Sequence, residues 1–199
     1  MNEIKPIETF YNGYRFRSRL EARWAVFFDA MGIEYQYESE GYEHLGYTYL
    51  PDFWLPKYKL HAEVKGASCR GQIPKDDAEK MSWMIDFAGP CSNGIILLGD
   101  IPYQKGADKL CWALWKWNGK GLSYGWLAFT DYPDPEGYFD CCDSQSAPHH
   151  FNENDDIVLT CSVVPFNLDG TLGNPNSKIE KALFKARTAR FEHGEKPII

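Results

Sequence analysis

Leu50-Pro51-Asp52-Phe53-Trp54-Leu55-Pro56-Lys57-Tyr58-Lys59-Leu60-His61-Ala62-Glu63-Val64-Lys65-Gly66 is the stretch from which the rest of the chain can be read. In its second half Leu60, Ala62 and Val64 alternate with His61, Glu63 and Lys65, the period of a strand whose successive side chains point to opposite faces. Glu63 and Lys65 therefore share one face. Residues 59 to 65 form one expected strand and residues 47 to 55 the one before it, joined by a short turn near Pro56-Lys57-Tyr58. So short a connection makes the pair antiparallel, which brings Asp52 beside Glu63 near the end of the pair.

Working outward, residues 18 to 31 read as a helix, because Leu20, Trp24, Phe27, Phe28 and Met31 fall on one apolar stripe and Gly32 follows as a stop. Ile33 to Glu38 alternates apolar with polar residues and predicts a strand, so three strands form an antiparallel meander. Beyond a loop from Gly66 to Pro74, Ala78, Met81, Ile85 and Ala88 predict a second helix ending at Gly89-Pro90. The run Gly94 to Gly99 suits a strand covered on both faces. The order is αβββαβ, an α/β fold with a mixed central sheet of four strands. Leu110–Trp117 and Leu122–Phe129 flank Asn118-Gly119-Lys120-Gly121, the signal of an added C-terminal hairpin. Residues 157 to 165 suggest one more strand. Ser177 with Glu180 is a capping-box pattern opening a closing helix, residues 177 to 193, with Ile179, Ala182, Leu183 and Ala186 on its apolar face. The expectation is one domain, residues 1–199, with its core in 10–100 and the hairpin, an acidic loop (131–156) and the closing helix in 101–199.

Two carboxylates about 4 Å apart repel by roughly 4 kcal/mol at an effective dielectric of about 20, so their convergence calls for a cation. Carboxylate oxygens suit Mg²⁺, which keeps waters and accepts phosphate oxygens in its remaining positions. Lys65 would set a positive charge where an attacking water and the developing charge on phosphorus lie. The chemistry this points to is phosphodiester hydrolysis.

Pro51-Asp52, ten intervening residues, then Glu63-Val64-Lys65, set on the second and third strands of an αβββαβ core, resembles the PD-(D/E)xK nuclease superfamily and its restriction-endonuclease-like fold. The resemblance covers about residues 10 to 100. It implies Mg²⁺ or Mn²⁺ as cofactor, Asp52 and Glu63 as its ligands and Lys65 as catalytic base. A Glu from the first helix joins the site in many members, and Glu21 is the matching position. The segments from Tyr11 to Arg23 and from Ala189 to Glu195 also look like those of phage and actinobacterial proteins of this type.

Plainer readings stand beside each residue. Glu21 follows Ser18 by three and also reads as a capping acid; Asp52 after Pro51 also reads as a strand end; Glu63 and Lys65 also read as a solvated strand face. Arg17, Arg19 and Arg23 suit the phosphate backbone of DNA through their forked donors, or simple solubility. His61 borders the expected site, and Gln72 and Lys75 lie just past the third strand. Trp112, Trp115 and Trp117 offer base stacking, core packing or a dimer face.

The chain has 199 residues, 44% of them hydrophobic and 25% charged, the profile of a globular protein. Its net charge of -7 speaks against a nucleic-acid partner at first sight. Residues 131–156, however, carry eight acids and no base, leaving 21 basic and 20 acidic residues elsewhere. Six cysteines without a CxxC, and no apolar leader after Met1, lead to an expectation of reduced thiols, a cytoplasmic location and no membrane partner. Cys141, Cys142, His149 and His150 form a weak zinc pattern. The sequence thus predicts a metal-dependent endonuclease acting on DNA, two copies of which would account for double-strand cuts. The competing expectations are an inactive nuclease-fold binding module (a DNA-end or junction binder, or a phage-encoded inhibitor) and an RNA-directed nuclease.

Overall fold

A computed structural model describes residues 6–44, 46–66, 94–102, 111–116, 122–130, 158–160 and 178–191. Ser18 opens helix α1 (Arg19–Met31) as an extended residue whose hydroxyl oxygen accepts from the Glu21 backbone N–H. Gly32 closes it at φ 72°, a left-handed conformation that favours glycine. There Ile33 N–H donates to the Phe28 carbonyl at 2.8 Å, satisfying one of the last free carbonyls of the helix.

The expected strands follow in chain order. Ile33, Tyr35 and Tyr37 are buried and Glu34 and Gln36 exposed, as the period of two requires, although only β3 (Gln36–Tyr37) within that segment is laddered. Residues 47 to 55, read as one strand, are two. β4 (Tyr42–His44) and β5 (Tyr47–Tyr49) make a small separate hairpin, and β6 (Phe53–Leu55) pairs with both β3 and β7 (Leu60–Val64). Pro51 explains the break, since it has no N–H to give a ladder. β8 (Gly94–Leu98) lies parallel to β7 and is buried at every position.

The hairpin of β9 (Cys111–Lys116) and β10 (Leu122–Thr130) extends this sheet instead of standing apart from it, since β9 pairs with β8. β11 (Val158–Thr160) adds a further edge to β10. Among the described residues the mixed sheet has seven strands, ordered β11-β10-β9-β8-β7-β6-β3: the expected four-stranded core of β3, β6, β7 and β8, with β9, β10 and β11 added to it. A two-stranded hairpin, β1 (Thr9–Tyr11) with β2 (Tyr14–Phe16), leads into α1. Helix α2 (Lys178–Thr188) buries Ile179, Ala182, Leu183 and Ala186 as the sequence predicts, but it stops five residues short of position 193. Its packing partner is α1. The expected helix near 75–88, the acidic loop 131–156, the cysteine–histidine pattern, Gln72, Lys75, Trp117 and Ser177 lie outside the described residues. Among the described residues no helix is long and apolar enough to cross a membrane.

The core lies between the sheet and the two helices. α1 is buried on more than its expected stripe, because Ala22, Ala25 and Val26 are covered as well as Trp24, Phe27, Phe28 and Met31. At the centre Phe53 is fully buried, its ring 5.4 to 6.0 Å from those of Phe16, Phe28, Tyr35 and Tyr37. Truncating it removes one ring from an interlocked set. We expect Phe53→Ala to cost about 3–5 kcal/mol, read as a lower urea midpoint, whereas a loss under about 1 kcal/mol would contradict this packing.

Candidate active site

The register that packs Phe53 against Ala62 also sets the chemistry. Phe53 faces Ala62, Trp54 faces His61 and Leu55 faces Leu60. One step further along the same register places Asp52 opposite Glu63. Asp52 is 3% exposed and Glu63 7% exposed, so two carboxylates sit out of water at the end of one strand pair. The carboxylate face is the one that Trp54 and His61 occupy.

Each carboxylate oxygen has a partner. Asp52 Oδ2 accepts from the Val64 backbone N–H at 2.7 Å, tying β6 to β7 beyond their ladder. Asp52 Oδ1 accepts from Arg17 Nη2 at 2.7 Å, and the same guanidinium reaches Glu38 Oε1 through Nε at 2.7 Å. Glu63 Oε1 lies 2.9 Å from Lys65 Nζ, and Glu63 Oε2 accepts from the Tyr49 hydroxyl at 2.9 Å. Lys65, more than a third exposed, points from the end of β7 toward water.

Burial and the neighbouring charge of Glu63 push the Asp52 carboxyl up to about 7; Glu21 adds to the rise, while the Val64 N–H and Arg17 oppose it. His61, buried beneath the β4–β5 hairpin, is lowered to about 4 by desolvation, against a hydrogen bond with the Phe53 backbone, and is therefore neutral at pH 7. Its Nε2 lies 2.9 Å from the Tyr42 hydroxyl, and its ring centroid is 4.7 Å from that of Trp54.

Of the expected residues, the fold brings Asp52, Glu63 and Lys65 together. Glu21 is buried next to them but turned to other partners. Its Oε1 accepts from the Ser18 hydroxyl at 2.7 Å, and its Oε2 from the Arg17 backbone N–H at 3.0 Å and the Tyr37 hydroxyl at 2.6 Å. It is the capping acid of α1 and acts on Asp52 only through space. Accordingly, no group of three or more His, Cys, Asp or Glu side chains able to hold a metal is assembled among the described residues. Arg17, expected on the phosphate backbone, faces Asp52 and Glu38 instead. Arg19 is half-buried, and Arg23 lines a pocket between the helices.

The site holds residues that the motif did not point to: Arg17 as counter-ion, Glu38 as its second anchor, and Tyr49 and Tyr42 as lids on Glu63 and His61. A signal existed for Arg17, which directly precedes the capping box of α1, and for Tyr37 and Glu38, which end the alternating strand. Tyr42 and Tyr49 carried none, because β4 lies in a segment to which the sequence assigned no element and β5 read as the start of one long strand. No protein-family model, curated protein or solved structure matches the chain.

The raised Asp52 carboxyl has a consequence for stability. Between its unfolded value near 4 and about 7 the folded state binds the extra proton, so this contribution is full at low pH and is lost as pH rises through 7. Asp52→Asn removes the titration. In chelator, the stability of the variant relative to the parent should therefore improve by about 1–3 kcal/mol between pH 5 and pH 8, measured by urea unfolding. A difference independent of pH would contradict the buried carboxylate pair.

Proposed function

We propose that the chain is a metal-dependent endonuclease of the PD-(D/E)xK kind that hydrolyses DNA phosphodiester bonds at Asp52, Glu63 and Lys65. The observation that carries this reading is the buried pair of Asp52 and Glu63 with Lys65 2.9 Å from Glu63, on adjoining strand ends of a mixed sheet. The αβββ order through β7 and the parallel β8 support it. The donor set fits Mg²⁺ or Mn²⁺: two hard carboxylates, one of them raised to about 7 by burial and by the charge of the other, match the one or two that Mg²⁺ usually takes from protein. Asp52 and Glu63 would hold the ion, which when bound supplies an acidified water and a Lewis acid for the phosphoryl oxygen.

The chain's own groups account for the rest. Val64 N–H and the Tyr49 hydroxyl hold one oxygen of each carboxylate, fixing the direction of the other lone pairs. Lys65 Nζ, tethered to Glu63 yet reaching solvent, is placed to orient the attacking water and to offset charge that develops on the phosphate. Glu21 acts as a positioning residue, holding the Arg17 backbone and Tyr37 at the mouth of the site. Arg17 sits where it can leave Asp52 for a substrate phosphate, an exchange between two charge-assisted bonds of similar strength.

The position of Arg17 also favours a second reading. A guanidinium already neutralises Asp52, and a permanent ion pair there would make the chain a module that binds DNA ends or junctions without turnover. Plasmid nicking separates the two. In Mg²⁺ or Mn²⁺ the hydrolase cuts, chelator stops it, and Lys65→Ala and Asp52→Asn each slow it by about 10²–10³-fold, with circular dichroism verifying that both variants are folded. A protein that retards DNA on a gel but never cuts it in either metal would overturn the hydrolase and leave the binding module.

A further inference from the structure

Arg17 lies between two acids. Its Nη2 donates to Asp52 Oδ1 at 2.7 Å and its Nε reaches Glu38 Oε1 at 2.7 Å, so one guanidinium bridges a member of the buried carboxylate pair and an acid outside that pair. The two ends of the residue are held differently. Its backbone N–H donates to Glu21 Oε2 and to the Tyr37 hydroxyl, both at 3.0 Å, whereas its side chain is 55% exposed. A pinned main chain carrying a guanidinium open to water can change partner without disturbing the core, since exposed side chains move between rotamers readily.

Glu38 is placed as the second partner by its backbone. It directly follows β3, and its N–H donates to the Asp52 carbonyl at 2.9 Å, one step beyond the Tyr37 and Phe53 register pair, which keeps both acids within reach of one guanidinium. Its φ of 46° lies in the left-handed region, which a residue with a Cβ enters at a cost and glycine would enter freely. A glutamate in that conformation points to a use for its side chain, and the side chain meets Arg17.

Asp52 divides its two oxygens between a fixed donor and this movable one. Oδ2 accepts from the Val64 backbone N–H, part of the β6–β7 pairing, and Oδ1 accepts from Arg17. A guanidinium and a divalent ion sharing Oδ1 would stand within a few ångströms of each other and repel, so each disfavours the other. The doubly charged ion has the larger attraction to the two carboxylates. A guanidinium that leaves Asp52 keeps Glu38 and the Tyr37 hydroxyl as partners, so it is not stranded by the exchange.

We infer that Arg17 is a built-in counter-ion of Asp52 that a divalent cation displaces, and that Glu38 is where its guanidinium then rests. The inference rests on the proposed metal-dependent reading of Asp52 and Glu63 and adds to it a competition between the chain's own cation and the metal. Such coupling is reciprocal: whatever loosens Arg17 from Asp52 tightens the ion. The test is a titration with Mn²⁺ alone, without nucleic acid, in which the electron paramagnetic resonance signal of the free ion reports binding. Arg17→Gln should tighten Mn²⁺ about tenfold, the worth of one charge-assisted bond. Arg17→Lys keeps the charge but cannot fork between two acids, and should fall between the parent and Arg17→Gln. Glu38→Gln removes the resting place and should weaken Mn²⁺ about three- to fivefold; most of that loss should vanish in the Arg17→Gln background, because the two substitutions act through one contact. Circular dichroism verifies that the variants are folded. Unchanged or weaker Mn²⁺ binding by Arg17→Gln overturns the competition, and an equal loss from Glu38→Gln in both backgrounds overturns the part given to Glu38. Plasmid nicking by the parent beside an unaltered affinity in Arg17→Gln leaves the hydrolase without the competition. Tighter Mn²⁺ in Arg17→Gln with no nicking by either protein leaves the competition without the hydrolase, and Mn²⁺ taken up by neither overturns both.

Discussion

Phe53 facing Ala62 is the contact on which both the core and the candidate site depend. Side chains alternate along a strand, so a register that buries Phe53 among Phe16, Phe28, Tyr35 and Tyr37 must also carry Asp52 to the opposite face, beside Glu63. A slip of one residue would expose the Phe53 ring and turn Asp52 inward at the same time. The aromatic packing thus does more than stabilise the domain: it fixes the register that makes two buried carboxylates neighbours. The Val64 N–H to Asp52 bond adds to this, extending the β6–β7 pairing past the point where Pro51 ends the regular ladder.

Placing those carboxylates together has an electrostatic cost that the surroundings meet only in part. Arg17 and Lys65 each offset one acid, but Arg17 divides its charge between Asp52 and Glu38, and Lys65 is partly in water, where its attraction is screened. The remainder appears as the elevated Asp52 carboxyl. A purely structural ion-pair network would be expected to lower such a carboxyl, since opposite charge favours the ionised form. Here desolvation and like charge win. That imbalance distinguishes the buried carboxylate pair from an ordinary surface salt bridge.

Much of this was legible in the sequence, for identifiable reasons. Ser18 and Gly32 bracket α1 because capping and left-handed geometry demand particular residues, and Ile179, Ala182, Leu183 and Ala186 mark the buried side of α2 because only one face meets α1. Glu63 and Lys65 share a face by the period of two, and the short connection between their strand and the one before makes the pair antiparallel and brings Asp52 beside Glu63. What escaped had a non-local cause. The joining of β9 to β8 is a pairing between distant segments, which local patterns do not encode, and so the sheet looked smaller than it is. The break at Pro51 was visible as a residue but not as a topology, hence the missed β4–β5 hairpin. Glu21 fitted two roles in sequence, and its bonds to Tyr37 and the Arg17 backbone, beyond the capping bond with Ser18, are ones that no local pattern supplies.

The β4–β5 hairpin shows what a small element can add at such a site. Tyr42 and Tyr49 are register partners in it, and their hydroxyls meet His61 and Glu63, two residues apart on one face of β7. Hydroxyls suit this task because they satisfy buried polar groups without adding charge to a region already rich in it. A lysine in place of Tyr49 would quench Glu63 outright, and an apolar residue would leave its second oxygen unpartnered out of water. Tyr42 and Tyr49 thus tie the hairpin to His61 and Glu63 without placing a further charge beside Asp52 and Lys65.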